Sequence, residues 1–295
     1  MKIAVIQQIP PHAYGDSRNM ELPALKEISK RSILRCLELI DEAAEKGAEL
    51  AVTIETVNAY LSLGDTRFTY DETLAGDTVR LFSEAAKKHK MHLAVGLALN
   101  IDGKPYNCAV LFGENGEIIG VHKKVHLPAG EELHFNNGDR FEVFETKFGN
   151  VGMLVCWDLQ FPEAARELAL GGADLICCPT YGWENIYGLS RAYENSVYIA
   201  AGMCTYPGGK SENELSSIVD NMGNLLVTVP DGKEGVGIAE VDIRKEPEPQ
   251  YGSAQFYPSH SMRKTRFSQR RTDTYKLINE PLENTPLYKR YFGEK

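Results

Sequence analysis

Apolar residues along this chain recur with two alternating periods. "KIAVIQQI" (2–9) is a near-continuous run rich in β-branched residues, the pattern of an opening strand. Residues 24–46, "ALKEISKRSILRCLELIDEAAEK", place Ile28, Ile33, Leu37 and Ile40 at roughly helical spacing, and Gly47 supplies a stop. "AELAVTIET" (48–56) predicts a buried strand, "DTVRLFSEAAKKHK" (77–90) a helix capped by Asp77, and "MHLAVGLAL" (91–99) a further strand. "YNCAVLFGENGEIIGVHKKVHL" (106–127) reads as a hairpin turning at Asn115-Gly116. Beyond it come "RFEVFETKFGNVGMLVC", a helix over 162–171, "ADLICCPT", a helix around 184–195, and the strand-like "SVYIAAGMCT", "SSIVDNMGNLLVTVP" and "GVGIAEVDI".

This order has two similar halves, which predicts an α/β fold with two central mixed sheets and helices outside them. No linker interrupts the pattern before about residue 244, so residues 1–244 form one expected domain. The segment 245–295 is charged and proline-containing, without strong periodicity. Its aromatics (Phe256, Tyr257, Phe267, Tyr275, Tyr288, Tyr291, Phe292) argue against pure disorder. We expect an arm that packs on a neighbouring subunit of a homodimer or larger homo-oligomer.

Composition narrows the function classes. The 295 residues are 43% hydrophobic and 25% charged, ordinary for a soluble globular protein. A net charge of −9 gives no footprint for nucleic acid and little reason to expect an anionic membrane surface as partner. The N-terminal "MKIAVIQQIPP" lacks the long apolar segment of a signal peptide, and no stretch reaches transmembrane length. The six cysteines (36, 108, 156, 177, 178, 204) have no repeating spacing and no CxxC pair, which predicts reduced thiols in a cytoplasmic protein. Adjacent Cys177 and Cys178 point to opposite faces of a strand, a poor start for tetrahedral zinc, so no metal site is expected.

Three strand ends carry candidate chemistry. The apolar run Val151–Val155 stops at Cys156, followed by Trp157, Asp158 and the helical "FPEAARELAL". A thiol at that corner is held outside the sheet by a backbone fixed in the core. Nearby positive charge would lower its pKa, and the amides after the turn would be free for a developing oxyanion. The plainer reading is a small buried apolar residue. In "ELAVTIETVNAY" (49–60), Glu55 ends a largely apolar strand, where desolvation would raise its pKa toward general-base work. The alternative is an exposed charge closing a strand. In "VHKKVHLPAGEELHF" (121–135), the two-residue period lets only one of Lys123 and Lys124 point inward. An inward lysine beside a carboxylate and a thiol requires that they compensate one another. Otherwise the pair is a solvated edge.

Glu, Lys and Cys in this chain order, with the blocks "GAELAVTIET", "HKKVHLP", "CWDLQFPEAAR" and "SRAYENSVYIAAG", resemble the nitrilase, or carbon–nitrogen hydrolase, superfamily over about residues 1–243. "RRTDTY" (270–275) is similar to the family's tail motif. The chain departs from the pattern at Ile54, where the family usually has proline. The resemblance implies a four-layer α-β-β-α sandwich without metal or organic cofactor. It implies Glu55 as general base, Lys124 as the lysine, Cys156 as nucleophile and Glu131 as a second, supporting glutamate, with Glu132 the fallback if the loop alignment slips by one. It further implies an oxyanion contact from the backbone N–H of Trp157.

The activity so implied is cysteine-dependent hydrolysis of a non-peptide C–N bond in a small amide or N-carbamoyl substrate, through a thioester and with release of ammonia. "CWDLQFPEAAR" is most similar to the N-carbamoyl amine and amide branch, since nitrilases tend to carry Glu where this chain has Asp158. "TYGWENIYGLSR" (180–191) would line the pocket with Tyr181, Trp183 and Tyr187, and with Glu184 either meeting a substrate amine or capping the next helix. The alternatives are a nitrilase acting on a small nitrile, a catalytically silent scaffold or binding member, and a glutaminase-like module that would need a synthetase partner. The other five cysteines read as core.

Overall fold

The computed structural model describes residues 1–11, 20–58, 72–182, 184–209, 214–247 and 261–292; Trp183, Phe256 and Tyr257 lie outside the described residues. The chain divides into two compact units, Met1–Lys245 and Glu246–Lys295. The first unit runs β1 (Lys2–Gln8), α1 (Leu22–Glu45), β2 (Leu50–Val52), α2 (Asp77–His89), β3 (His92–Ile101), β4 (Lys104–Phe112), β5 (Ile118–Lys123), β6 (Val143–Thr146) and β7 (Gly149–Met153). It continues with α3 (Pro162–Leu170), β8 (Leu175–Thr180), α4 (Asn185–Asn195), β9 (Tyr198–Cys204), β10 (Ser217–Val219), β11 (Leu225–Thr228) and β12 (Gly235–Glu240). In the second unit, α5 (Met262–Ser268) and α6 (Pro286–Tyr291) are separated by single 3-10 turns at Thr272–Thr274 and Leu282–Asn284.

The strands form one mixed sheet in the order β5-β4-β3-β2-β1-β9-β8-β7-β6, with β10, β11 and β12 branching from β9 and β1. The sequence predicts two sheets. They are joined because β1, which pairs with β12 from Lys2 to Gln7, also pairs Gln7 and Gln8 with Met203 and Cys204 of β9. β1–β2–β3 and β7–β8–β9 are parallel runs, so within each half the strands point their C-terminal ends one way.

Alternation along β1 explains how the halves are covered. Ile3 and Val5 face a core that draws Val52, Ala94 and Leu111 from one half and Met153, Leu175 and Ala200 from the other. Ala4 and Ile6 face a second core with Cys36, Ile40 and Phe82 of α1 and α2. Both faces are therefore buried, which is why the opening strand reads as a continuous apolar run rather than an alternating one.

Two predicted element boundaries are corrected. The strand expected over 48–56 is short, Leu50–Val52, because the chain turns soon after Val52 and presents Glu55 beyond the strand end. The residue capping α2 is Gly76, with Asp77 inside the first turn, where its charge still complements the helix N-terminus.

Candidate active site

Four segments meet beyond the C-terminal ends of the strands, the position where open α/β sheets place their ligands. Glu55 follows β2, Lys124 follows β5, Cys156 follows β7 and Tyr181 follows β8. Each strand fixes its backbone in the core, so the residue just past the end is aimed by buried structure.

The Glu55 corner is built by close approach. A Cβ at Gly96 of β3 would lie 2.4 Å from the Ile54 carbonyl oxygen and 2.8 Å from Glu55 Cα. A Cβ at Gly202 of β9 would lie 2.4 Å from the Thr53 carbonyl oxygen. Only glycine lets these strands press against the turn. Thr56 then takes φ 44°, left-handed for a β-branched residue. The buried Asn58 pins the exit, donating from Nδ2 to the Ala98 carbonyl (2.9 Å) and accepting from the Ala98 amide (2.8 Å).

The side chains form a closed network. Lys124 Nζ donates to Glu55 Oε1 at 2.9 Å and to Glu131 Oε2 at 2.7 Å, and all three residues are buried. Asn107 Nδ2 donates to both glutamates, 2.7 Å to Glu55 Oε1 and 2.6 Å to Glu131 Oε1. The Tyr181 amide donates to Glu55 Oε2 at 2.8 Å. Of the sequence candidates, Lys124 is the inward lysine, while Lys123 lies over the Tyr106 ring at 4.4 Å. Glu131 sits inside on the 3-10 turn Glu131–Leu133, and Glu132 on the same turn is exposed.

Cys156 opens a 3-10 turn, Cys156–Gln160, and is the one cysteine of six that is not fully buried. Its φ of 44° is left-handed, a conformation that costs energy in a non-glycine residue and persists when the surroundings over-determine it. The first bond of the turn runs from the Asp158 amide to the Val155 carbonyl (3.0 Å), so the turn does not use the amides of Cys156 and Trp157. Sγ is held loosely, 3.9 Å from the Gly182 carbonyl, and Cys156 also lies in hydrogen-bond reach of Glu55 and Thr180.

Electrostatics divides the labour and corrects two expectations. Burial pushes Glu55 up, but the charge and hydrogen bond of Lys124, with Asn107, hold it below its ordinary value; the sequence suggests a raised base because burial is the only effect it exposes. Burial and the Glu55 charge push the Cys156 thiol up to about 12 against Lys124, so the resting group is a thiol, not the thiolate that a nearby cation suggests. Glu131 is raised by burial and by Glu55 in spite of Lys124. Burial works against the Lys124 charge, but Glu55, Cys156 and Glu131 outweigh it and hold the ammonium well above its ordinary value. The two carboxylates are thus driven apart, Glu55 toward the ionised form and Glu131 toward the protonated one.

The proposed pocket residues are not all gathered. Tyr181 is half-buried, its hydroxyl bonded to that of Tyr206. Trp157 is 39% exposed, and Tyr187 is half-buried on α4. Glu184 occupies the N-cap position of α4, but its side chain makes no capping bond and is exposed. Trp183 lies outside the described residues. Among the described residues, no group of three or more His, Cys, Asp or Glu is disposed to hold a metal ion, and no helix is long and apolar enough to cross a membrane.

Sequence reasoning missed Asn107 as the bridge between the glutamates, and the part played by Gly96 and Gly202. The glycines were visible as isolated interruptions of apolar strands, a known sign of close backbone approach. Asn107, one polar residue in the "YNCAVLF" strand, left only its misplaced polarity as a clue.

A parallel-strand frame with a thiol, a lysine and two glutamates at its rim brings together the kinds of group a hydrolase uses: a nucleophile, a cation and carboxylates. Comparison with known proteins agrees: residues 3–246 match the carbon-nitrogen hydrolase family, and the chain belongs to it and is an enzyme of the amidase/nitrilase group. It is 31% identical over 229 residues to the "Probable nitrilase C965.09" of Schizosaccharomyces pombe, covering 72% of this chain and 84% of that protein. It is 29% identical over 242 residues to the omega-amidase NIT2 of Mus musculus, covering 75% and 86%. The crystal structure of a carbon-nitrogen hydrolase from Helicobacter pylori G27 superposes with TM-score 0.73 at 26% identity, covering 95% of this chain and 98% of that one. The first two relatives carry nitrilase and omega-amidase names, so the similarity reaches the amidase and nitrilase group and does not single out the N-carbamoyl branch suggested by Asp158.

Proposed function

We propose that this enzyme is an amidase that hydrolyses a small amide through a thioester on Cys156 and releases ammonia. The observation that carries the reading is the Glu55–Lys124–Glu131 network, closed by contacts of 2.9 and 2.7 Å and lying beside the partly exposed Cys156. As Sγ bonds to the amide carbon, its proton passes to Glu55, and the carbonyl electron pair moves onto oxygen. Lys124 and the amide of Trp157, which the turn does not use, hold that oxyanion, in a site shielded enough for such contacts to count. The C–N bond then breaks as Glu55 returns the proton to nitrogen, and ammonia leaves. Water attacks the thioester, giving one proton to Glu55, and the acid departs as the thiol reforms. Because Cys156 rests as a thiol, attack and proton transfer to Glu55 are coupled. Glu131, raised by burial and by the charge of Glu55, orients Lys124 through its 2.7 Å contact.

The amide is favoured over the N-carbamoyl substrate and the nitrile by the omega-amidase relatives. In the same reading, Tyr181, Tyr187 and Glu184 line the substrate side, and the sheet halves with their shared core form the inner layers of a four-layer α-β-β-α sandwich. The C-terminal unit, with Leu277, Ile278, Leu287, Tyr291 and Phe292 exposed, is the segment we assign to a second copy of the chain. Sedimentation of a Tyr291→Asp, Phe292→Asp variant tests that assignment: a lower mass supports it, and an unchanged mass removes it.

The activity is tested by ammonia release, with carbon dioxide followed in parallel, from short aliphatic amides, ω-amides, N-carbamoyl amino acids and nitriles. Ammonia alone from amides, abolished by Cys156→Ala, is the expected result. Equimolar carbon dioxide would convert the reading to a carbamoyl hydrolase, and preference for a nitrile over its amide would overturn it.

A further inference from the structure

Outside the Glu–Lys–Cys network lies a second polar cluster that takes no part in the bond-making steps: the buried Asp158 and His122 with the half-buried His126. Asp158 is wholly buried, and its carboxylate collects five donors divided between its two oxygens. Oδ1 accepts from the Val125 amide (3.2 Å), the His126 amide (2.9 Å) and His126 Nδ1 (2.9 Å). Oδ2 accepts from the Val155 amide (3.1 Å) and His122 Nε2 (2.9 Å). Both imidazoles therefore present N–H to an ionised carboxylate, the tautomers this network requires. Burial opposes the charge, but the hydrogen bonds from His122 and His126 outweigh it and hold Asp158 well below the usual carboxylate range.

The division of donors is informative. Every donor on Oδ1 comes from the two residues that follow Lys124. Oδ2 takes the amide immediately before Cys156 and the ring two residues before Lys124. One carboxylate thus ties the lysine segment to the nucleophile turn, two stretches far apart in sequence. The far side is closed by ring stacking, His126 on Phe161 at 3.8 Å and His122 on Phe141 at 5.7 Å. Phe161 ends the same turn that Cys156 begins. A left-handed φ at Cys156 needs surroundings that leave the backbone no alternative, and the bond from the Val155 amide supplies part of them.

We propose that Asp158 is a positioning residue that sets the distance between the Cys156 thiol and the Lys124 ammonium, acting through the two backbones without touching substrate. The proposal deepens the amidase reading and rests on it. Alkylation of Cys156 by iodoacetamide is measured beside turnover, because it reports the nucleophile whether or not an amide is the substrate.

Asp158→Asn keeps the volume but turns an NH2 group toward donors on one side. A misplacement of about 1 Å costs on the order of 100-fold in rate. The variant should therefore lose about 100-fold in kcat with KM within about 3-fold, and its rate of Cys156 alkylation should change. His126→Phe removes a single donor, on the lysine side, and keeps a ring stacked on Phe161 at the end of the nucleophile turn. It should lower kcat about 10-fold while alkylation of Cys156 stays at the wild-type rate, a split that general loosening of the fold would not produce. If Asp158→Asn fails to fold, His126→Phe carries the test alone. A folded Asp158→Asn enzyme with wild-type kcat, or a His126→Phe enzyme that loses thiol reactivity in step with turnover, would overturn the proposal. If no amide is turned over, the amidase reading fails. The positioning role then stands or falls separately on alkylation, which must change in Asp158→Asn and not in His126→Phe.

Discussion

Glu55 and Cys156 sit at corresponding places in the two halves of the sheet. Each lies just beyond a short parallel strand, and each corner contains a non-glycine residue with φ 44°. They are secured in opposite ways. Glu55 is fixed by its side chain, which takes hydrogen bonds from Lys124, Asn107 and the Tyr181 amide. Cys156 is fixed by its backbone, while Sγ is held loosely, 3.9 Å from the Gly182 carbonyl and within reach of Glu55 and Thr180. The difference reflects the task of each group. A buried carboxylate has to be paired to stay charged, whereas a nucleophilic sulfur must leave its resting contacts to reach carbon. The charges show the same division: the base is pulled below its ordinary value and the thiol pushed up to about 12.

Substitutions on the two sides should therefore behave differently. Cys156→Ala removes a weakly held atom. Turnover should fall on the order of 10⁴-fold or more, with thermal unfolding shifted by only a few degrees. A large loss of stability would show the sulfur to be structural. Glu55→Gln should lower kcat by about 10³-fold, the range of a lost general base. Because it leaves Lys124 with Glu131 as its sole carboxylate partner, it should also cost stability, visible in urea titration, where Cys156→Ala does not.

The pH dependence sharpens the comparison. Since Glu55 is lowered, its contribution to stability is complete above its unfolded value, about 4.3, and is lost as pH falls through the folded value below that. The acid limb of kcat/KM should lie below the ordinary glutamate range, and no limb should appear near the ordinary thiol value of about 8.5. A limb near that value would mean a thiol that titrates at its ordinary value and would contradict the raised Cys156. Gly96→Ala, which sets a Cβ against the Ile54 carbonyl, should cost about 1–3 kcal/mol in chemical denaturation. The smallest effect separates neighbours: Glu132→Gln should leave kcat and stability unchanged within about 0.5 kcal/mol, while Glu131→Gln, inside the network, should not.

Much of this was legible in the sequence, and the gaps have a common cause. The strand ends at Glu55, Lys124 and Cys156 could be read because apolar runs stop abruptly at polar residues. The two-residue period allowed one inward lysine, and resemblance selected Lys124 over Lys123. Effects that depend on neighbours distant in the chain could not be read. The depressed Glu55 requires Lys124 at 2.9 Å, and the joining of two sheets into one requires Gln7 and Gln8 of β1 beside Met203 and Cys204. In the sequence, Asp158 stands out only as a marker of substrate branch. Its five donors come from residues 122–126 and 155, which no local pattern brings together.

The central claim is that sulfur, not water, attacks the amide. Wild-type enzyme mixed with a turned-over amide, quenched rapidly and weighed intact, should gain the mass of the acyl group. The gain should map to Cys156, and hydroxylamine in the same reaction should divert the product to the hydroxamate. Full ammonia release with neither an adduct on Cys156 nor any hydroxamate would contradict the account and leave direct attack by water as the mechanism.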